Sequence, residues 1–199
     1  MTCYQRRFQT SKNSLKSLIN PALTMKTPIT PYVHSYPAPA VLVGSGTVEK
    51  PNLIAISWFG TVCSDPPTIS ISIRPSRFSF KLVQESREFT VNLPRVQDLK
   101  AVELCGNRSG RDIDKFKALG LTPAPCPPLL QAPMVKEFFL SLGCRVKHEL
   151  PLGTHHIFIA EVVSMFVDEE LIRKSGKADP ILNQQIAWVD QKYWRLVKI

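Results

Sequence analysis

The sequence predicts a mainly β protein, an antiparallel β-barrel carrying a few helical insertions. Three observations predict it. Apolar or alternating runs of strand length recur along the chain, while helical periodicity is scarce. Seventeen prolines and nine glycines break the 199 residues into short pieces. The strand–helix alternation of a parallel sheet is missing, and neither GxGxxG nor GxxxxGK[ST] occurs.

The elements follow in order. Ala40-Val41-Leu42-Val43-Gly44 reads as a strand, and Asn52-Leu53-Ile54-Ala55-Ile56-Ser57-Trp58 as a second. Asp65-Pro66-Pro67 is a hard turn, because both prolines lack a ladder donor. Thr68 to Ile73 alternates strictly, with isoleucine on one face and Ser or Thr on the other, as a half-buried strand requires. Ser76 stands where it would cap a short helix from Arg77 to about Glu85. Glu88–Leu93 is a strand, Arg95 to about Cys105 a helix, and Asp112–Leu119 a shorter helix closed by Gly120. The proline-dense stretch 122–133 must be an irregular loop. Phe138–His148 and Ile157–Val167 form an antiparallel pair joined around Leu150-Pro151-Leu152-Gly153, and Trp188–Ile199 supplies a last strand.

The composition is that of one ordinary globular domain, with 44% hydrophobic and 21% charged residues, which excludes wholesale disorder. No apolar run approaches the ~18–20 residues of a membrane span. The net charge of +9 suggests nucleic acid until it is mapped. Arg6, Arg7, Lys12, Lys16 and Lys26 all precede the first acidic residue, Glu49. Setting those five aside leaves 20 basic against 16 acidic residues, a surplus of four. A basic β-barrel that binds single-stranded nucleic acid is therefore a remote reading. Residues 1–33 are expected to be a basic N-terminal extension, and residues 34–199 the folded domain. A transit peptide, a disordered tail and an upstream start before Met25 all suit the arm, whereas no apolar stretch supports a secretory signal. Cys3, Cys63, Cys105, Cys126 and Cys144 are odd in number and match no zinc pattern, which points to a reducing, cytoplasmic setting.

Two segments could bind an anion. Ser72-Ile73-Arg74-Pro75-Ser76-Arg77-Phe78-Ser79 runs from a strand into a helix start, where free amides, two hydroxyls and the Arg77 fork suit a phosphate. An ordinary cap beside a solvated arginine would have the same sequence. Asn107 to Phe116 places Arg108, Arg111 and Lys115 around a Ser-Gly turn that could close over the same anion, or be a charged surface turn. His155 and His156 are adjacent on a strand and face opposite ways, so they cannot easily share a metal, and no metal site is expected.

These segments, taken with Asp65-Pro66-Pro67, Glu88-Phe89-Thr90-Val91-Asn92-Leu93-Pro94, Ser109-Gly110 with Asp114-Lys115-Phe116, and Gly153-Thr154-His155, resemble the flavin reductase-like family in order and spacing. The likeness is to its flavoredoxin branch, from about residue 37 to 170. It implies an FMN-binding split barrel of Greek-key type, working as a homodimer with flavin near the subunit interface. Carried over, Asn52 and the backbone of Ala55, Ile56, Ser57 and Trp58 would lie along the isoalloxazine ring. Ser76, Arg77, Ser79 and Lys115 would hold the phosphate. His155 would face the flavin and is the one candidate catalytic residue; Thr154 replaces an acidic residue often found before it. The implied activity is hydride transfer from NAD(P)H to flavin, with electrons passed to flavin, ferric complexes or a related acceptor. The alternative is an electron carrier that serves a redox partner protein without nicotinamide turnover. The Pro-rich loop 122–133 and Trp188, Tyr193 and Trp194 are apolar enough to serve as partner surface.

Overall fold

Prolines and β-branched residues cut the chain into short strands, and the computed structural model pairs them antiparallel throughout. It describes residues 26–179 and 184–197. The basic residues Arg6, Arg7, Lys12 and Lys16 lie outside the described residues, while 26–34 carry no strand or helix. The compact unit spans Ser35–Ile199.

The first half contains β1 (Ala38–Pro39), β2 (Val41–Gly46), β3 (Pro51–Ile56), β4 (Phe59–Ser64), β5 (Pro67–Ile73), α1 (Phe78–Ser86) and β6 (Glu88–Leu93). After it come α2 (Leu99–Asn107), α3 (Lys115–Leu119), β7 (Pro123–Ala124), β8 (Met134–Val135), β9 (Leu140–Leu152), β10 (His155–Val167), β11 (Ile186–Val189) and β12 (Lys192–Arg195). Seven strands form one sheet in the order β3-β2-β6-β9-β10-β5-β4, and β1, β11 and β12 form a smaller one.

The order itself shows the curl. β3 and β4 are opposite edges of the sheet, yet only Ser57 and Trp58 separate them in sequence. A two-residue link can join two edges only if the sheet rolls up until they meet, and β3 does come against β5. The Asn52–Trp58 strand expected from sequence therefore stops at Ile56, and a further strand, β4, begins at Phe59. Inside the roll, Ile69, Ile71 and Ile73 of β5 meet Val41, Val43, Phe89, Val91 and Phe158. Each such side chain contributes about 1.5–3 kcal/mol on full burial. The strict alternation of β5 is borne out, with its isoleucines buried and its Ser and Thr residues only partly so.

β2 is buried on both faces. Leu42, with Leu53 of β3, turns outward and is covered by Ala101, Val102 and Cys105 of α2 and by Phe116 of α3. Buried polar groups stitch the layers. Asn92 Nδ2 donates to Leu42 O and Thr90 Oγ1, while its Oδ1 accepts from Val135 N and Ser141 Oγ. All four hydrogen-bonding positions of that amide are used, which removes the cost of burying it.

Several boundaries differ from expectation. The second helix is α2 preceded by a 3-10 turn at Val96–Asp98. The third is shorter, with Asp114 capping Lys117 N at 3.0 Å and Gly120 closing it at φ 65°. β9 and β10 run four residues past His148 and start two before Ile157, leaving a tight turn at Gly153-Thr154. Past Lys147, β9 pairs with β10 alone among the described residues, so Pro151 is tolerated within the strand. The C-terminal strand is a hairpin, β11–β12, turned on Asp190 and Gln191 at positive φ. Loop 122–133, expected as partner surface, buries most of its apolar side chains within this chain. Cys126, Leu129 and Ala132 form a core of their own, and the buried Glu88 carboxylate accepts from Leu130 N and Gln131 N. Of its large apolar residues, Leu130 is the one left fully exposed.

Candidate functional site

The two anion-binding candidates, 35 residues apart in sequence, form the walls of one cavity of about 250 Å3. Ser76, Arg77 and Ser79 from the first segment line it together with Arg108, Arg111 and Lys115 from the second. Sterics decide how closely the walls approach. A Cβ on Gly110 would overlap Asn52 Oδ1 and Phe78, so only glycine lets this turn close against them. Arg111 completes the junction by donating from Nη1 to Ser76 O at 3.2 Å.

Ser76 is not the helix cap. Arg77 holds the N-cap position of α1 with extended backbone, and no side chain accepts from the first turn. A turn over 74–77, closed by Arg77 N donating to Arg74 O at 2.9 Å, takes up Ser76 before the helix begins. Phe80 N donates to Arg77 O, but with no side-chain cap the start of α1 and the positive end of its dipole remain open to an anion.

Lys115 is the unusual group. Its side chain is buried, 3% exposed, and Nζ donates to Leu53 O at 2.7 Å and Cys105 O at 3.1 Å. Two of three ammonium donors are so placed, and no carboxylate forms an ion pair with it among the described residues. Burial drives its pKa below the ordinary lysine value, and nearby Arg77 pushes the same way. The Cys105 thiol, beside it, is pushed up to about 11 by burial and is inert as a nucleophile. A buried cation facing a cavity without a counter-charge is costly unless an anion completes it.

Ser79 lines the cavity, but its Oγ already accepts from Asn52 Nδ2 at 2.7 Å. Asn52, expected along a ring, is buried and lines neither cavity; it also reaches Ser45 Oγ at 3.3 Å. It braces Ser79 from behind.

A second cavity, about 420 Å3, adjoins the first and shares Ile54, Ala55 and Arg77 with it. It lies at the gap where the sheet edges meet. Ile56, Ser57, Trp58, Arg74 and His155 are among its lining residues. Trp58, 45% exposed, stacks on the His155 ring with centroids 4.3 Å apart. Arg74 Nε donates to His155 Nε2 at 3.3 Å, and His155 Nδ1 lies 2.9 Å from Thr154 Oγ1. An arginine can only donate, so Nε2 is the acceptor and the neutral ring carries its proton on Nδ1, toward Thr154. Partial burial, then Arg74 and Arg77, lower the His155 pKa and favour that neutral form. Both nitrogens are thus engaged, and in this arrangement His155 has no proton to offer the cavity; it is a wall rather than an acid. His156 faces elsewhere, bonding Glu149 at 2.8 Å and packing edge-on against Phe80, as the opposite-face argument required.

Sequence reasoning missed Arg74 as a site residue, and Trp188 and Tyr193, expected as partner surface, are half-buried in this chain. Those two rings pack T-shaped at 4.7 Å and line a third recess next to Ala55 and Gly106. Their strand neighbour Trp194, 56% exposed, is the one of the three left facing outward. The aromatic spacing of the tail was visible in sequence; its fold back over β3 was not.

The comparisons agree with this geometry. The model of the flavin reductase like domain matches residues 33–193. The chain belongs to the flavin reductase-like family. Flavoredoxin of Desulfovibrio vulgaris (Miyazaki F) superposes with a TM-score of 0.79 at 30% identity, covering 88% of this chain and 95% of that one. Flavoredoxin from Methanosarcina acetivorans gives 0.80 at 28% identity, covering 87% and 92%. An uncharacterized protein of Archaeoglobus fulgidus is 33% identical over 144 residues, 72% of this chain and 79% of its own. The fold is accordingly the split barrel of this family, as its sequence resemblance implied.

Proposed function

We propose that this member of the family binds FMN across the two adjoining cavities and acts as an oxidoreductase that takes a hydride from NAD(P)H and passes electrons to flavin, a ferric complex or a related acceptor. The observation that carries it is Lys115, a buried ammonium without a carboxylate partner, facing a cavity that also presents Arg77 and the uncapped start of α1. Residues of this kind fit a terminal phosphate. The adjoining slot, with Trp58 and His155 stacked at its rim, fits a planar ring.

When bound, the flavin supplies hydride acceptance and electron release. The chain's own work is to hold and screen. Arg77 and Lys115 neutralise the phosphate, with Ser76 and Ser79 beside them, while the 55–58 backbone lies along the slot. Asn52 acts indirectly, by fixing Ser79. The Trp58–His155 stack covers the slot and limits water. No side chain needs to be an obligatory acid or base. The likeness to two flavoredoxins favours a second reading, an electron carrier for a partner protein without nicotinamide turnover. Residues 34–199 would suffice for either role, and we propose a homodimer whose exposed Trp194 lies on the shared surface.

The test is an absorbance spectrum of the purified protein, with FMN titration and steady-state NAD(P)H oxidation. Flavin bands with turnover support the enzyme, and flavin bands without turnover support the carrier. Absence of both bands and titratable affinity refutes the flavin site. Light scattering with and without FMN decides the dimer.

A further inference from the structure

The second cavity is lined by two cations, Arg74 and Arg77, and by no Asp or Glu. Arg77 also belongs to the first cavity, where an anion would answer its charge. Arg74 lines only the second. It forms no ion pair among the described residues, and its one side-chain hydrogen bond there is Nε to His155 Nε2. Nη1 and Nη2 keep four N–H donors in a planar fork, the edge that matches two oxygens of a carboxylate or phosphate.

We infer that Arg74 recognises an oxyanion on the reactant that enters the second cavity, so that this chain selects a carboxylate- or phosphate-bearing partner over a neutral one of the same shape. The inference rests on the reading above that FMN binds across the two cavities, because a reactant that exchanges electrons with its ring must approach through the second.

The fork is held before any ligand arrives. His155 accepts from Nε, Thr154 engages the far nitrogen of His155, and Trp58 stacks on the ring, so three residues steady one guanidinium. A neutral imidazole can hold it this way; a protonated one would repel it and lose the acceptor. Pre-ordering of this kind lowers the entropic cost of binding. Arg74 is exposed, but unlike a free surface arginine it is tethered to a second side chain and lines a recess without Asp or Glu.

The test uses three probes of one ring size, benzoate, phenyl phosphate and benzamide, titrated calorimetrically into the full chain and its Arg74→Gln and Arg74→Lys variants. The full chain should bind benzoate or phenyl phosphate at least about tenfold tighter than benzamide, the scale of one charge-assisted hydrogen bond. Whichever anion is preferred distinguishes a carboxylate source from a phosphate source. Arg74→Gln should abolish the preference, and Arg74→Lys should retain part of it, having charge without the fork. Equal binding of anion and amide by the full chain, no binding of any probe, or a preference that survives Arg74→Gln overturns the inference. FMN titration of the same samples separates the two readings. Failure of FMN to bind any of the three proteins refutes the flavin site, while the probe ratios still decide Arg74.

Discussion

Replacing Arg77 with alanine isolates the phosphate site from the fold. Arg77 N donates to Arg74 O and Arg77 O accepts from Phe80 N, and both bonds are backbone, so Arg77→Ala keeps the turn and the start of α1. No hydrogen bond or ion pair of its guanidinium holds another element among the described residues, which predicts little change in the thermal midpoint without ligand. What is lost is one charge-assisted bond to the phosphate, about 1.5–3 kcal/mol, or roughly 10- to 150-fold in the dissociation constant. A small compensation is built in. Arg77 depresses the Lys115 pKa, so removing it lets the ammonium hold its proton more firmly. The lower half of that range is therefore expected. The assay is quenching of flavin fluorescence on titration, with circular dichroism to confirm the fold. Unchanged affinity in a folded variant would show that the phosphate does not sit between Arg77 and Lys115.

Gly110→Ala should cost about 1–3 kcal/mol as an overpacked contact, since its Cβ meets Asn52 and Phe78, and should weaken FMN with it; a thermal melt showing no loss contradicts this. His155 should titrate below the ordinary imidazole value of about 6.5 by proton NMR. Because its folded pKa is the lower one, its contribution to stability is complete above the ordinary value and is lost as pH falls through the folded value. A midpoint above 6.5 would overturn the neutral-ring assignment. Deleting residues 1–25 should leave FMN affinity unchanged, because every residue lining the three recesses lies between Ala40 and Tyr193; loss of FMN from a folded truncation would refute it.

Local chemistry alone determined much of this protein. The Ile/Ser alternation of β5 could only be a half-buried strand, Asp65-Pro66-Pro67 had to turn, and Gly120 had to end a helix, because each depends on backbone sterics within a few residues. The ordered motifs likewise singled out Arg77 and Lys115 as candidates, and both line one cavity. Only tertiary structure decided what depends on closure. That Ser57-Trp58 joins two sheet edges, and so opens the second cavity, follows from strand order, which no local pattern encodes. The same holds for Asn52 being a brace, for Glu88 pinning loop 122–133, and for the tail folding over β3. Arg74 and His155, 81 residues apart, meet because His156 pairs with Ile73 in the β5–β10 register. Burial and long-range pairing set these roles, and both are properties of the closed barrel rather than of any segment within it.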